Sequence, residues 1–234
     1  MKANEYRGPD SRRVQQMFAG IAHRYDFLNH FLSVFIDRHW RKLAVAKVRE
    51  LAPISAPLCL DVCSGTGDLA IALRRALSGG VVATDFCHPM LTRAADKESS
   101  IPNVEADALK LPFPDASFDA LTIAFGLRNL EDPARGLGEF HRLLRPHGAL
   151  VILEFSKPVI PVFREAFGFY FRHILPRLGG AISGDAAAYQ YLHDSVVKFP
   201  NQKELMELMR AVGFQNVDYR NLSGGIAALH WGIV

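Results

Sequence analysis

The sequence predicts an α/β protein built on a doubly wound, mostly parallel sheet. Three observations carry this expectation. Short apolar runs alternate with stretches of three- and four-residue apolar spacing from about residue 58 to residue 154, the rhythm of strand and helix in turn. A glycine loop, Leu60-Asp61-Val62-Cys63-Ser64-Gly65-Thr66-Gly67-Asp68, follows the first run and opens a helical pattern. The last two apolar runs are separated by Ser223-Gly224-Gly225, short enough for an antiparallel hairpin.

Residues 1–10 read as a loose tail. From Ser11 to about Phe27, Val14, Met17, Phe18, Ile21 and Tyr25 make one apolar stripe at helical spacing. A second helix is predicted from Asp37, a suitable N-cap, to Leu51, with Trp40, Leu43, Ala44, Val48 and Leu51 inward. Residues 11–52 are therefore expected to form a helical cap on the sheet. Strands are predicted near 58–62, 80–85, 103–106, 118–125 and 148–154, and helices near 67–77, 88–97 and 134–144. Asp115-Ala116-Ser117 turns into the fourth strand and Pro146-His147-Gly148 into the fifth. Residues 158–199 break the rhythm: Phe163, Phe167, Phe169, Tyr170 and Phe171 crowd together with Arg164, Arg172 and Arg177, which reads as a helical insertion. A helix over 202–212 and strands near 214–221 and 226–233 close a single domain spanning residues 1–234. A seven-stranded parallel sheet ending in an antiparallel hairpin is the Rossmann-like arrangement of class I S-adenosylmethionine-dependent methyltransferases. Dinucleotide-binding folds usually continue with parallel strands.

Bulk properties narrow the class. The 234 residues are 49% hydrophobic and 22% charged, ordinary for a soluble globular domain. No apolar run is long enough to span a bilayer, and the polar first ten residues give no reason to expect a secretory leader. Cys59, Cys63 and Cys87 lack metal-ligand spacing, so no metal is predicted; free thiols fit a cytoplasmic chain. A net charge of +3 is too mild to predict a nucleic-acid partner. Positive charge is uneven, however: Arg7, Arg12, Arg13, Arg24, Arg38, Arg41 and Lys42 crowd the N-terminal segment, in a chain with 16 phenylalanines. Basic and aromatic groups together permit contact with an anionic membrane surface, though a solvated helix face is the simpler reading.

The glycine loop points to an adenosine-containing ligand. Its glycines let backbone approach a ligand closely, and Asp85 ends the next apolar run at the spacing of a ribose-binding carboxylate. Gly65-Thr66-Gly67-Asp68-Leu69-Ala70 also fits the dinucleotide fingerprint. The flanking charges favour another ligand. Asp61 and Asp68 would repel a pyrophosphate, whereas the ammonium and sulfonium of S-adenosylmethionine suit them.

Further phrases then combine. Phe125-Gly126-Leu127-Arg128-Asn129, Leu153-Glu154-Phe155-Ser156-Lys157-Pro158, Tyr191-Leu192 with Ser195, Phe199-Pro200 and Ala228-Leu229-His230 stand beside the loop, and Phe18, Ile21-Ala22, Tyr25-Asp26 and Asn29 precede it. From about Val14 to its end the chain resembles the UbiE/MenG family of ubiquinone/menaquinone biosynthesis C-methyltransferases. The resemblance implies S-adenosyl-L-methionine as cofactor, with binding positions at Thr66, Asp85, Asp107 and Ala108, and with Asp61, Gly65 and Gly67 framing the loop. This chain departs from the family in having Ala124 where many members have serine, Ser64 where glycine is frequent, and Cys63 where alanine is frequent.

The resemblance also implies the chemistry: methyl transfer to a ring carbon of a reduced, prenylated quinone, with demethylmenaquinol the first-choice substrate and a ubiquinone precursor the second. Arg128 is expected to hold the quinol oxyanion, with an ion pair to Glu131 or Asp132 as its alternative. Asn129 would orient a substrate oxygen or cap the next turn. Tyr25, with Asp26, would close over the site from the cap or simply pack there. Glu154 faces the pocket or sits exposed in a turn. No general base stands out among His23, His30, His88 and His193. The expected partners are the prenylated quinol, no nucleic acid, a peripheral contact with the inner face of the cell membrane, and a second copy in a homodimer. Three rivals stay open: methylation of another small hydrophobic molecule, a NAD-dependent oxidoreductase, and a non-catalytic nucleotide-binding module.

Overall fold

The structure is a computed structural model that describes residues 6–23, 35–160 and 186–234. Its seven strands are β1 (Cys59–Val62), β2 (Val81–Asp85), β3 (Asn103–Glu105), β4 (Phe118–Ala124), β5 (Leu144–Phe155), β6 (Gln215–Leu222) and β7 (Ala227–Ile233). They form one sheet in the order β3-β2-β1-β4-β5-β7-β6. The first five pair in parallel. The Ser223–Gly225 turn reverses the chain, so β7 runs antiparallel to both β5 and β6. β1 sits between β2 and β4, where strand order reverses, and the register aligns Val62 with Thr84 and with Ile123. The carboxyl ends of three strands therefore lie level, and open α/β sheets bind ligands in that crevice.

Alternation along each strand divides the core in two. Leu60, Leu121, Ile123, Leu150 and Ile152 face α5 (Pro133–Leu143) and α7 (Gln202–Val212), meeting Leu137, Phe140, Leu205 and Met209. Their neighbours Cys59, Ala120, Val151 and Leu153 face α2 (Ile36–Leu51) and α3 (Asp68–Ala76), meeting Trp40, Ala44, Val48, Leu69 and Leu73. Strands buried on both faces read as continuous apolar runs for this reason. α4 (His88–Lys97) follows β2, and α1 (Ser11–Ile21) packs on it through Ala22, Cys87 and Met90.

Three local expectations need correction. The second helix begins at Ile36 with Phe35 as N-cap at φ +60°; Asp37 lies in its first turn, buried and ion-paired with Arg41 one turn on, so it does not cap. The first helix ends at Ile21, with Ala22 at its C-cap. Pro146-His147-Gly148 does not precede β5 but lies inside it: Leu144 pairs with Phe118 and Ala149 with Ala120, so the extra residues form a bulge, with His147 at φ +66°. Tyr25, Asp26 and Asn29, and the aromatic and basic crowd from Phe163 to Arg177, lie outside the described residues. The described part of the 158–199 interruption includes a helix, α6 (Ala186–Lys198). Among the described residues no helix is long and apolar enough to cross a membrane.

Candidate active site

The glycine loop is held by its own backbone. Ser64 N–H donates to Thr84 O, Gly67 N–H to Ser64 O, and Gly65 N–H to Asp85 Oδ2, each at 2.9 Å. Gly67 takes φ +84°, a left-handed conformation that lets the chain turn into α3. Gly126, just past β4, closes against the loop; a Cβ there would lie 2.5 Å from Cys63 Cβ. Several loop amides are thus spent inside the protein. A pyrophosphate needs such amides free, and this argues against a dinucleotide more strongly than the neighbouring charges do.

Two chambers open on the loop. The larger, about 720 Å³, is bordered by Gly65, Asp85, Asp107, Ala108 and Asn129, with Phe18 of α1, Phe86 and Met90 as apolar walls. The smaller, about 350 Å³, is bordered by Arg41, Asp61, Ser64, Gly65, Thr66 and Asp68. Cys63, Gly65, Ala124 and Phe125 belong to both, so the chambers form one bed across the switch point. Together they suit a ligand of nucleoside size with a short tail.

Of the sequence-predicted cofactor residues, Thr66, Asp61 and Gly65 border the small chamber, and Gly65, Asp85, Asp107 and Ala108 the large one. Gly67 shapes the turn and borders neither. Asp85 accepts from Gly65 N–H on one oxygen and Cys87 N–H on the other, both at 2.9 Å. Burial raises its carboxyl, opposed by those amides. Asp107 Oδ1 accepts from Leu109 N–H at 2.9 Å, fixing the turn that presents Ala108. Ala124 borders both chambers without a hydroxyl, as its side chain requires.

The small chamber is acidic and incompletely neutralised. Asp61 is 1% exposed and accepts from Thr122 Oγ1 at 2.6 Å; burial pushes its carboxyl up to about 7. Asp68 is paired: Lys97 lies at 2.9 Å and Arg41 at 3.6 Å. Its charge is compensated, and the repulsion expected of it toward a phosphate is correspondingly weak. Ser64 Oγ is buried without a hydrogen-bond partner. Arg41, counted from sequence with a basic surface, is instead buried at this chamber.

Arg128 has a different ion-pair partner from those expected. Its guanidinium borders neither chamber and pairs with Glu154, not with Glu131 or Asp132. Nη1 donates to Glu154 Oε1 at 2.8 Å and to Phe125 O, Nε donates to Ser195 Oγ at 3.3 Å, and the Arg128 N–H reaches Glu154 Oε2 at 3.2 Å. Tyr6 Oη donates to Arg128 O at 3.2 Å. Glu154 is 1% exposed, so it is not an exposed turn residue, and it borders neither chamber. The phrases around Gly126, Glu154 and Ser195, far apart in sequence, thus meet in one buried pillar. Asn129 stands on it and does border the large chamber, its Nδ2 donating to Phe125 O at 3.3 Å. Tyr191 Oη donates to Asn129 Oδ1 at 2.8 Å; burial pushes that phenol up to about 12, so it stays a donor. His88 pairs with Glu105 and His193 with Asp194, and neither they nor His23 borders the cleft; His30 lies outside the described residues. Sequence reasoning missed Arg41, Phe86, Met90 and the Tyr191–Asn129 bond. The only signal for the last was that Tyr191 and Asn129 both sit in distinctive phrases.

The ubiE/COQ5 methyltransferase family matches over residues 6–234. A demethylmenaquinone methyltransferase of Deinococcus radiodurans is 48% identical over 92% of this chain and 90% of its own length. One from Thermus thermophilus is 48% identical over 92% and 99%. A ubiquinone/menaquinone biosynthesis C-methyltransferase of Geotalea uraniireducens is 43% identical over 94% and 95%. Among solved structures, an S-adenosylmethionine-dependent methyltransferase from Thermotoga maritima superposes with TM-score 0.61 at 18% identity, covering 90% of this chain and 97% of that one. The cyclase SpnF gives TM-score 0.71 at 17% identity, covering 99% and 98%. Likeness at that identity shows the fold alone, and the fold hosts more than one chemistry.

Proposed function

The chain belongs to the ubiE/COQ5 methyltransferase family, and from that premise we propose that it transfers a methyl group from S-adenosyl-L-methionine to a ring carbon of a prenylated quinol, demethylmenaquinol before a ubiquinone precursor. The observation that carries the cofactor is the small chamber. Arg41, Asp61 and Asp68 border it; Arg41 pairs with Asp37 and Lys97 with Asp68, which leaves Asp61 buried without an ion-pair partner of its own and its carboxyl raised to about 7. The chamber therefore gains from a cation, which an α-ammonium provides and a pyrophosphate does not. Residues present fit the rest of the group. Asp85 has oxygens for ribose hydroxyls, Asp107 and Ala108 border the region suited to adenine, and Thr66 with Asp61 borders the methionine end.

When bound, S-adenosylmethionine supplies a sulfonium methyl, an electrophile for an electron-rich ring carbon. The protein's tasks are alignment, exclusion of water and stabilisation of the quinol oxygen as it loses its proton. Asn129 is the polar group placed for the last of these. Its carboxamide is oriented by Tyr191 and Phe125 O, and its nitrogen carries a second N–H for a substrate oxygen. Arg128 and Glu154 hold that carboxamide's backbone in place rather than touching substrate. Phe18, Phe86 and Met90 wall the crevice against water. The prenyl tail of such a substrate resides in a bilayer, so the enzyme works from the cytoplasm at the inner membrane face. Calorimetry with S-adenosylmethionine and with NADH tests the cofactor: micromolar binding of the first alone is expected, and NADH binding without it would overturn the reading. Co-sedimentation with anionic liposomes tests the location; no binding at low salt would contradict it.

A further inference from the structure

We propose that Arg41, on the second helix of the chain, reads the α-carboxylate of the bound sulfonium donor and so selects a zwitterionic amino-acid tail. The inference rests on the cofactor reading above and assigns a residue that the glycine-loop phrases do not contain. α2 precedes the sheet in sequence and packs across α3 and β5, which carries Arg41 to the loop. There Arg41 borders the small chamber together with Asp61, Ser64 and Thr66, and its side chain is only 11% exposed.

The geometry leaves the guanidinium with donors to give. Nη1 serves Asp37, one turn earlier on α2. Nη2 lies 3.6 Å from Asp68 Oδ2, longer than a hydrogen bond. Its Cζ lies over the Phe125 ring, 5.8 Å from the centroid, which restricts its movement. A guanidinium pre-set by an ion pair and a ring presents its remaining N–H groups in a fixed fork, the arrangement that receives a carboxylate bidentately. The chamber's acids call for an ammonium. An α-amino acid carries a carboxylate on the carbon that bears its ammonium, so a tail drawn to Asp61 brings an anion to the one buried arginine bordering the same chamber. The buried Ser64 Oγ, without a partner, offers a further polar contact there. A purely structural Arg41, serving only to neutralise Asp37, would be indifferent to the ligand's carboxylate.

The test compares S-adenosylhomocysteine with its decarboxylated counterpart, which keeps the adenosine, sulfur and amine. Dissociation constants are measured by calorimetry for the wild type, for Arg41→Lys and for Asp37→Asn/Arg41→Met. Loss of a charge-assisted, mostly buried contact predicts that the wild type prefers the carboxylate-bearing ligand by about 10- to 150-fold. The lysine variant keeps a cation beside Asp37 and so guards against misfolding, but lacks the fork; its preference falls at least about threefold. The double variant removes the ion pair as a unit and loses nearly all preference while still binding the decarboxylated ligand. A wild type that binds both ligands equally, or a variant that retains the full preference, overturns the assignment to Arg41. A wild type that binds neither ligand sinks the cofactor reading itself.

Discussion

Replacing Glu154 with glutamine should destabilise the fold sharply, and most of the effect should disappear when Arg128 is changed with it. Glu154 accepts from the Arg128 guanidinium at 2.8 Å, the Arg128 N–H at 3.2 Å and the Phe155 N–H at 2.8 Å, and both side chains are almost fully buried. Glu154→Gln keeps the shape and one acceptor but leaves the Arg128 cation without its counter-charge. Breaking a buried pair on one side costs about 3–5 kcal/mol. Glutamine belongs at the lower end, about 3 kcal/mol, because its amide oxygen still accepts. In a chain of this length that corresponds to a fall in Tm of roughly 6–12 °C. Urea unfolding followed by circular dichroism gives the free energy directly. Arg128→Met/Glu154→Gln should recover most of the loss, since two neutral groups of similar size replace two buried ions. A single-variant cost below about 1 kcal/mol, or two single costs that simply add in the double variant, would refute the pillar and return Arg128 to a role at the substrate.

Three other outcomes follow from the same geometry. Asp61, raised to about 7 without ligand, must ionise to meet an ammonium, so affinity for S-adenosylmethionine should rise about tenfold between pH 6 and pH 8, with protons released on binding; calorimetry in two buffers of different ionisation enthalpy measures the release, and Asp61→Asn should abolish it. His230 is buried, donates from Nε2 to Gln202 O at 2.9 Å, and is held down to about 4 by burial. Its folded state resists protonation, so wild-type stability falls relative to His230→Gln as pH drops from 6.5 to 4, by about 3 kcal/mol in all; parallel urea titrations at pH 7.5 and 4.5 check the difference, which also removes the opposite contribution of Asp61. Gly126→Ala drives a methyl into Cys63 Cβ and should cost about 1–3 kcal/mol together with ligand affinity; Cys63→Gly, acceptable at φ +52°, should restore both, and no rescue would mean the contact is not the cause.

Much of the fold was legible because its signals are local. Periodicity marked every strand of the sheet, and the short Ser223-Gly224-Gly225 turn revealed the antiparallel pair that separates this fold from dinucleotide-binding ones. The bulge in β5 was read as a turn because Pro146-His147-Gly148 carries turn chemistry wherever it falls; only pairing with β4 shows that the strand continues on both sides. Of the site, the loop and Asp85 were legible since their spacing is fixed by one strand-turn-helix unit. The partners of Arg41 and Arg128 were not legible, for a common reason. A charged side chain's partner across the fold has no sequence signature, and the neighbours in sequence, Glu131 and Asp132, drew attention from Glu154, which is 26 residues away but on the adjoining strand. Asp68 was expected to repel a pyrophosphate because its partner Lys97, at the end of another helix, has no sequence signature either.

The central claim is carbon methylation of a quinol, and one measurement reaches it directly. Purified protein is incubated with methyl-labelled S-adenosylmethionine and demethylmenaquinone, reduced chemically or left oxidised, and the products are resolved by mass spectrometry with fragmentation of the ring. One labelled methyl on a ring carbon is expected, formed from the reduced substrate alone and lost with Asp61→Asn. A label on oxygen, equal methylation of the oxidised quinone, or no transfer to either a demethylated menaquinol or a demethylated ubiquinol precursor would contradict it.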